Sequence, residues 1–273
     1  MAKEETTELA NKVEPGSLAQ VNFGEYADGG FENQTSEDMA IPFLGLLQQL
    51  SPQVTKGNDE FIEGAEAGML FNTVTQELMG EQAFFVPCTT GHEFVEWVPR
   101  DKGGGLVARH AVDSEVVATA RNNSTSFNDL KSAEGNDIVE TFYIYGLLLD
   151  EANGQEMVMP ITIGFTSTKI KVYKRLMTKL RTIKGKPPLF AFRLGINSKP
   201  ETNKANQPYM NFEIDYANGE MENSINLPGS EFAGLLEAGQ ELAKLVSSGQ
   251  LQAAVESQGN GGSQPAGDDD TPF

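Results

Sequence analysis

The sequence predicts a mainly β body with one inserted amphipathic helix and one C-terminal helix. Three observations carry that expectation. Short runs rich in Val, Ile, Phe and Thr follow one another with glycine between them. One stretch, 169–184, repeats its apolar residues at helical spacing. After 256 the composition changes to low-complexity Gly, Ser, Gln and Pro.

Residues 1–37 are polar, include Ala27-Asp28-Gly29-Gly30, and are expected to form a loosely ordered N-terminal arm. A principal domain is expected over 38–256. Its first apolar run, 43–50, closed by Ser51-Pro52, reads as a short helix or strand docked in the core. Strands are expected at 70–78, 83–89 and 93–98, broken at Gly80 and Gly91. Pro99-Arg100-Asp101-Lys102-Gly103-Gly104-Gly105 reads as a hairpin loop and lacks the GxxxxGK[ST] pattern of a nucleotide site. Two longer strands, 138–149 and 157–165, flank Asn153-Gly154, a favourable hairpin turn. Strands 189–196 and 208–216 come next, joined by a polar loop at 197–207. The last helix spans about 230–246, with Phe232, Leu235, Leu236, Leu242 and Leu245 on one face, although Gly234 and Gly239 weaken it. This order suggests a closed or partly open OB-like β-barrel elaborated by helices, with a β-sandwich as second choice.

The chain has 273 residues, 39% of them apolar, enough for one large core. No apolar run is long enough to span a bilayer, and the acidic start, Met1 to Glu8, has no signal-like apolar region. A single Cys88 excludes an internal disulfide, and with His92 and His110 it cannot build the usual zinc sites. A cytoplasmic protein without metal or cofactor is expected. Net charge is −19, which argues against an anionic partner until its distribution is considered. From Lys169 to Lys204 eleven basic residues face one acid, Glu201, a local +10 within a chain that is otherwise strongly acidic. With screening over ~8–10 Å, a partner feels the local field.

Placed at ~100° per residue, Val172, Ile183, Leu176, Leu180, Tyr173, Met177 and Ile170 fill one arc of about 160°. Lys171, Lys174, Arg175, Lys179 and Arg181 fill the opposite arc, and Lys169 intrudes on the apolar side. Lys184, Lys186, Arg193, Lys199 and Lys204 extend the basic region. Lys171 with Arg175, and Arg175 with Lys179, stand at i,i+4 and repel one another unless an anion relieves them. The rival reading is a solvated face neutralised from elsewhere in this acidic chain. Use as a membrane-surface helix ranks last, because the apolar arc holds no Trp or Phe.

Tyr143, Tyr145, Tyr173, Tyr209 and Trp97 are candidate rings for stacking unpaired bases, each competing with a role in the core. Cations interleaved with flat rings suit single-stranded nucleic acid bound without sequence preference. No Asp/Glu/His cluster has catalytic or metal-binding spacing, and Ser167 and Cys88 have no assignable base, so no enzymatic activity is expected.

Residues 257–267 read as a flexible tether that ends in Asp268-Asp269-Asp270-Thr271-Pro272-Phe273. This ending resembles the tail of bacterial single-stranded DNA-binding proteins, where a Gly/Gln-rich linker closes in Asp-Asp-Asp-Ile-Pro-Phe. Five of the six tip positions match, and Thr271 stands in place of Ile. The resemblance covers the last seventeen residues. It implies a docking peptide for replication and recombination proteins, with Phe273 entering an apolar pocket and the aspartates lying on a basic ridge. The size of the body and the acidic tail also look like bacteriophage-encoded members, which implies an OB fold. Homo-oligomer formation is left open. The competing expectation is a phage virion structural or assembly protein.

Overall fold

The computed structural model describes residues 40–126, 129–149, 157–203, 206–217, 219–221, 224 and 233–254. The expected arm 1–37, the tail 257–273, the Asn153-Gly154 turn and Lys204 lie outside the described residues.

The body is organised on two long strands, β5 (Gln82–Trp97) and β8 (Asp137–Leu149). They pair antiparallel from Phe84 opposite Leu149 to Trp97 opposite Asp137, with a bulge between Pro87 and Thr89. Alternation sorts their side chains onto two faces. Phe85, Phe142, Ile144 and Leu148 enter the main core, while Val86, Cys88, Leu147 and Leu149 enter a second cluster behind it. β5 shares its other edge between β6 (Leu106–His110) and β10 (Leu194–Thr202). β8 does the same with β7 (Leu130–Lys131) and β9 (Met157–Thr166). β11 (Pro208–Tyr216) folds back on β10 as a hairpin.

Beside this seven-stranded sheet, β2 (Leu44–Leu46), β3 (Leu70–Asn72) and β4 (Leu78–Gly80) form a small antiparallel sheet. β1 (Ala40–Ile41) pairs in parallel with β12 (Gln252–Ala253), and the Ala254 N–H donates to the Ile41 carbonyl at 2.8 Å. Three helices complete the described residues. α1 (Glu115–Asn123) buries Val117 and Ala120 against Phe94, Leu130 and Ile138. α2 (Ile170–Arg181) lies on the main core, and α3 (Ala233–Ser247) sets Leu235 and Leu242 against Val86 and Cys88 on the opposite face.

The mainly β expectation with an inserted and a terminal helix is met, but the sheet does not close into a barrel among the described residues. Closure needs a ladder between the outer strands. Instead, residues 42–48 touch both edges. The Thr162 N–H of β9 donates to the Pro42 carbonyl at 2.8 Å. On β11, the Met210 N–H donates to Gln48 Oε1 at 2.8 Å, and Gln48 Nε2 donates back to the Met210 carbonyl at 3.0 Å.

Other differences have local causes. The 70–78 run is a hairpin, because Asn72 Oδ1 accepts the N–H groups of Val74 and Thr75 and Gln76 takes φ +59°. Gly91 does not break a strand. It lies opposite Tyr143, and a Cβ there would meet the Tyr145 ring at 3.2 Å, so the missing side chain accommodates two tyrosines across the ladder. The 189–196 segment starts as a 3-10 turn at Leu189–Ala191, and the strand runs on through Thr202, which places Lys199 in a strand rather than a loop.

Candidate nucleic-acid interface

The apolar arc of α2 docks as its spacing requires. Leu176 and Leu180 are buried, with Ile170, Val172, Tyr173, Met177 and Ile183 packed around them. The five cations of the opposite arc, Lys171, Lys174, Arg175, Lys179 and Arg181, are all exposed, as are Lys184 and Lys186 just beyond the helix. Lys169 is half-buried, its Nζ 5.0 Å from the centre of the Phe212 ring.

The two flanks of the helix differ. On the side of the β10–β11 hairpin, Lys171 Nζ lies 2.8 Å from Glu201 Oε2, and Lys179 pairs with Asp215 while covering the Tyr216 ring at 4.1 Å. Lys199 sits 3.9 Å from Glu201 and 3.6 Å from Glu213. Glu201 also accepts from the Tyr209 hydroxyl at 2.6 Å and from Asn211 Nδ2 at 2.9 Å. Burial pushes the Glu201 carboxyl up, but the bonds from Lys171, Tyr209 and Asn211 outweigh it and bring the pKa down to about 2. Asp215 is lowered in the same way: burial opposes, and Lys179, the Tyr216 N–H and the charge of Arg175 prevail. Asp215 reaches the helix across space and Glu213 reaches Lys199 across the hairpin, so counting charges along the chain misses them.

The other flank is open. Lys174 and Arg181, with Lys184 and Lys186 beyond the helix, have no carboxylate of a described residue within 4.0 Å, whereas Arg175 stands between Lys171 and Lys179 on the side that acts on Asp215. Three side chains expected at the interface are not on it. Tyr143 is 2% exposed and lies on the far face, packed on Phe43 beneath the Arg109 guanidinium. Trp97 is buried at the end of β5. Arg193 is 2% exposed, held where its N–H donates to the Ser224 carbonyl and its own carbonyl accepts from Ala217. Tyr143 stands on the sheet face that Phe43 and Ala253 cover. Tyr145 is half-buried on the face of Tyr143, and burial raises its hydroxyl pKa. Tyr173, on α2 itself, stacks on Phe142 at 4.6 Å, and Tyr209 borders the helix by holding Glu201.

One exposed ring escaped the sequence reading. His92 on β5 lies flat on Phe142, with centroids 4.0 Å apart and planes 14° apart, and its Nε2 is 2.9 Å from Glu140. The signal was available in the two-residue spacing to Phe94, which places both on one side of β5.

These features define a mainly antiparallel β protein whose inserted helix holds an exposed row of cations over the core. No helix of the described residues is long and apolar enough to cross a membrane. The chain belongs to the Pam3 phage gp34-like protein family, whose model matches residues 10–252. No curated protein and no solved structure matches it.

Proposed function

We propose that the protein is a phage-encoded, non-enzymatic single-stranded DNA-binding protein that acts in replication or recombination in the host cytoplasm. The observation that carries this reading is the open flank of α2, where Lys174 and Arg181, continued by Lys184 and Lys186, face solvent without a described carboxylate. Phosphates would neutralise this row, while Lys171 and Lys179 would exchange Glu201 and Asp215 for phosphate only on close contact. The scaffold is read as an OB-like barrel left partly open, with residues 42–48 in the gap between β9 and β11.

The tail, Asp268 to Phe273, would recruit partner proteins and compete with DNA for the cations. The nineteen residues after Ala254 span up to roughly 65 Å when extended, enough to reach α2 from any point on such a body. Fluorescence anisotropy of a labelled oligothymidylate at two salt concentrations tests the binding. Affinity should fall with a log–log slope of about −0.7 per phosphate neutralised, and matched duplex should bind poorly. A flat salt response, or no binding, would instead favour a virion or assembly role. Deleting 268–273 should tighten DNA binding at low salt and abolish partner capture. Unchanged affinity and intact capture would refute the tail mechanism.

A further inference from the structure

Between α1 and α2 the sheet surface is floored by rings. We infer a base-stacking subsite centred on His92, with Lys174 and Arg121 as the phosphate contacts on either side of it. This rests on the proposed single-strand binding and extends it to a residue and a path that the charge pattern did not reveal.

Three observations converge there. First, His92 is exposed, and one face of its imidazole is already supported by Phe142, which is itself backed by Tyr173 at 4.6 Å. A ring held flat against a rigid stack presents its outer face to a base without giving up further side-chain freedom. Second, the stack sits between cations from two elements. Lys174 Nζ of α2 lies 5.8 Å from the Phe142 centroid, and the Arg121 guanidinium of α1 lies 4.8 Å from the centroid of Phe94, the neighbour of His92 at 5.9 Å. Third, Glu140 holds the imidazole by its edge at Nε2, 2.9 Å away, which fixes the ring plane while the side chain stays 33% exposed. The strand would thus run from the α2 row, over His92, toward α1.

The test uses the full chain and a labelled oligothymidylate, with four proteins measured in parallel. His92→Ala should weaken binding by about five- to a hundred-fold with an unchanged salt slope, because a stacking contact carries no phosphate charge. His92→Phe should stay within about three-fold of the wild type, since the flat ring is retained. Arg121→Gln should lower the slope by about 0.7, the signature of one lost phosphate contact. Ultraviolet cross-linking of a 5-bromodeoxyuridine oligonucleotide should map to the β5 peptide that contains His92. If the wild type binds but His92→Ala binds equally well, or the cross-link maps elsewhere, the subsite is wrong and the function stands. If the wild type does not bind at all, the function and the subsite fall together.

Discussion

Replacing Glu201 with glutamine removes the charge at which β10, β11 and α2 meet while keeping the shape of the side chain. Three donors converge on its carboxylate: Lys171 Nζ at 2.8 Å, Tyr209 Oη at 2.6 Å and Asn211 Nδ2 at 2.9 Å. The carboxylate side chain is 18% exposed and Lys171 62% exposed, so the ion pair is screened and contributes at most about 1 kcal/mol. The bonds from Tyr209 and from the fully buried Asn211 are better protected, and weakening both adds roughly 1–2 kcal/mol. The expected loss is about 1–3 kcal/mol, a fall in Tm of roughly 2–12 °C. The pH dependence has a definite sign. The folded pKa of Glu201 is about 2, below its ordinary 4.5, so its contribution is complete above about pH 4.5 and drains away as pH falls through 2. The stability gap between wild type and Glu201→Gln should therefore narrow on acidification. Urea midpoints for both proteins at pH 7, 4 and 3 measure it. A gap that stays constant with pH, or is absent at pH 7, refutes the assignment of Glu201 as the electrostatic anchor.

The other perturbations separate surface from core. Lys174→Gln combined with Arg181→Gln should reduce the salt slope of oligothymidylate binding by about 1.4 and leave the circular dichroism spectrum unchanged; an unaltered slope removes the open flank from the interface. Gly146→Ala places a Cβ 2.2 Å from the Val86 carbonyl oxygen and 2.4 Å from the Phe85 ring, so chemical denaturation should show a loss of about 3 kcal/mol or more. Near-native stability would mean that β5 and β8 part easily. Burial pushes the Cys88 thiol up to about 12, which leaves roughly one thiolate in ten thousand at pH 8. An aromatic disulfide reagent should label it only on unfolding, and rapid labelling of the native protein would contradict the packing under α3.

What could be read from the chain depended on how local the cause was. α2 was legible because Leu176 and Leu180 recur on one side of a single helix, and β8, β9 and β11 because their pattern survives without their partners. α1 was invisible, since only Val117 and Ala120 of its nine residues are buried and the rest is polar surface. Part of the cationic surface was legible in the same way, through the wheel. The quenching of Lys171 and Lys179 was not, because Glu201 and Asp215 meet them only once the β10–β11 hairpin lies alongside α2. Tyr143 failed for a related reason. Alternation tells which side of a strand a residue occupies but not whether that side is covered, and here both sides of the sheet are.

The pairing of Ala40–Ile41 with Gln252–Ala253 sets a rule for anyone cutting or tagging this chain. Ala253 is packed with Phe43 and Tyr143, so a truncation that runs back through it strips a rung from the opening strand and uncovers those two rings. One that stops at 257 leaves the body sealed. The same rung makes the two ends of the body neighbours, so an affinity handle fused ahead of residue 40 would crowd whatever is attached beyond 254.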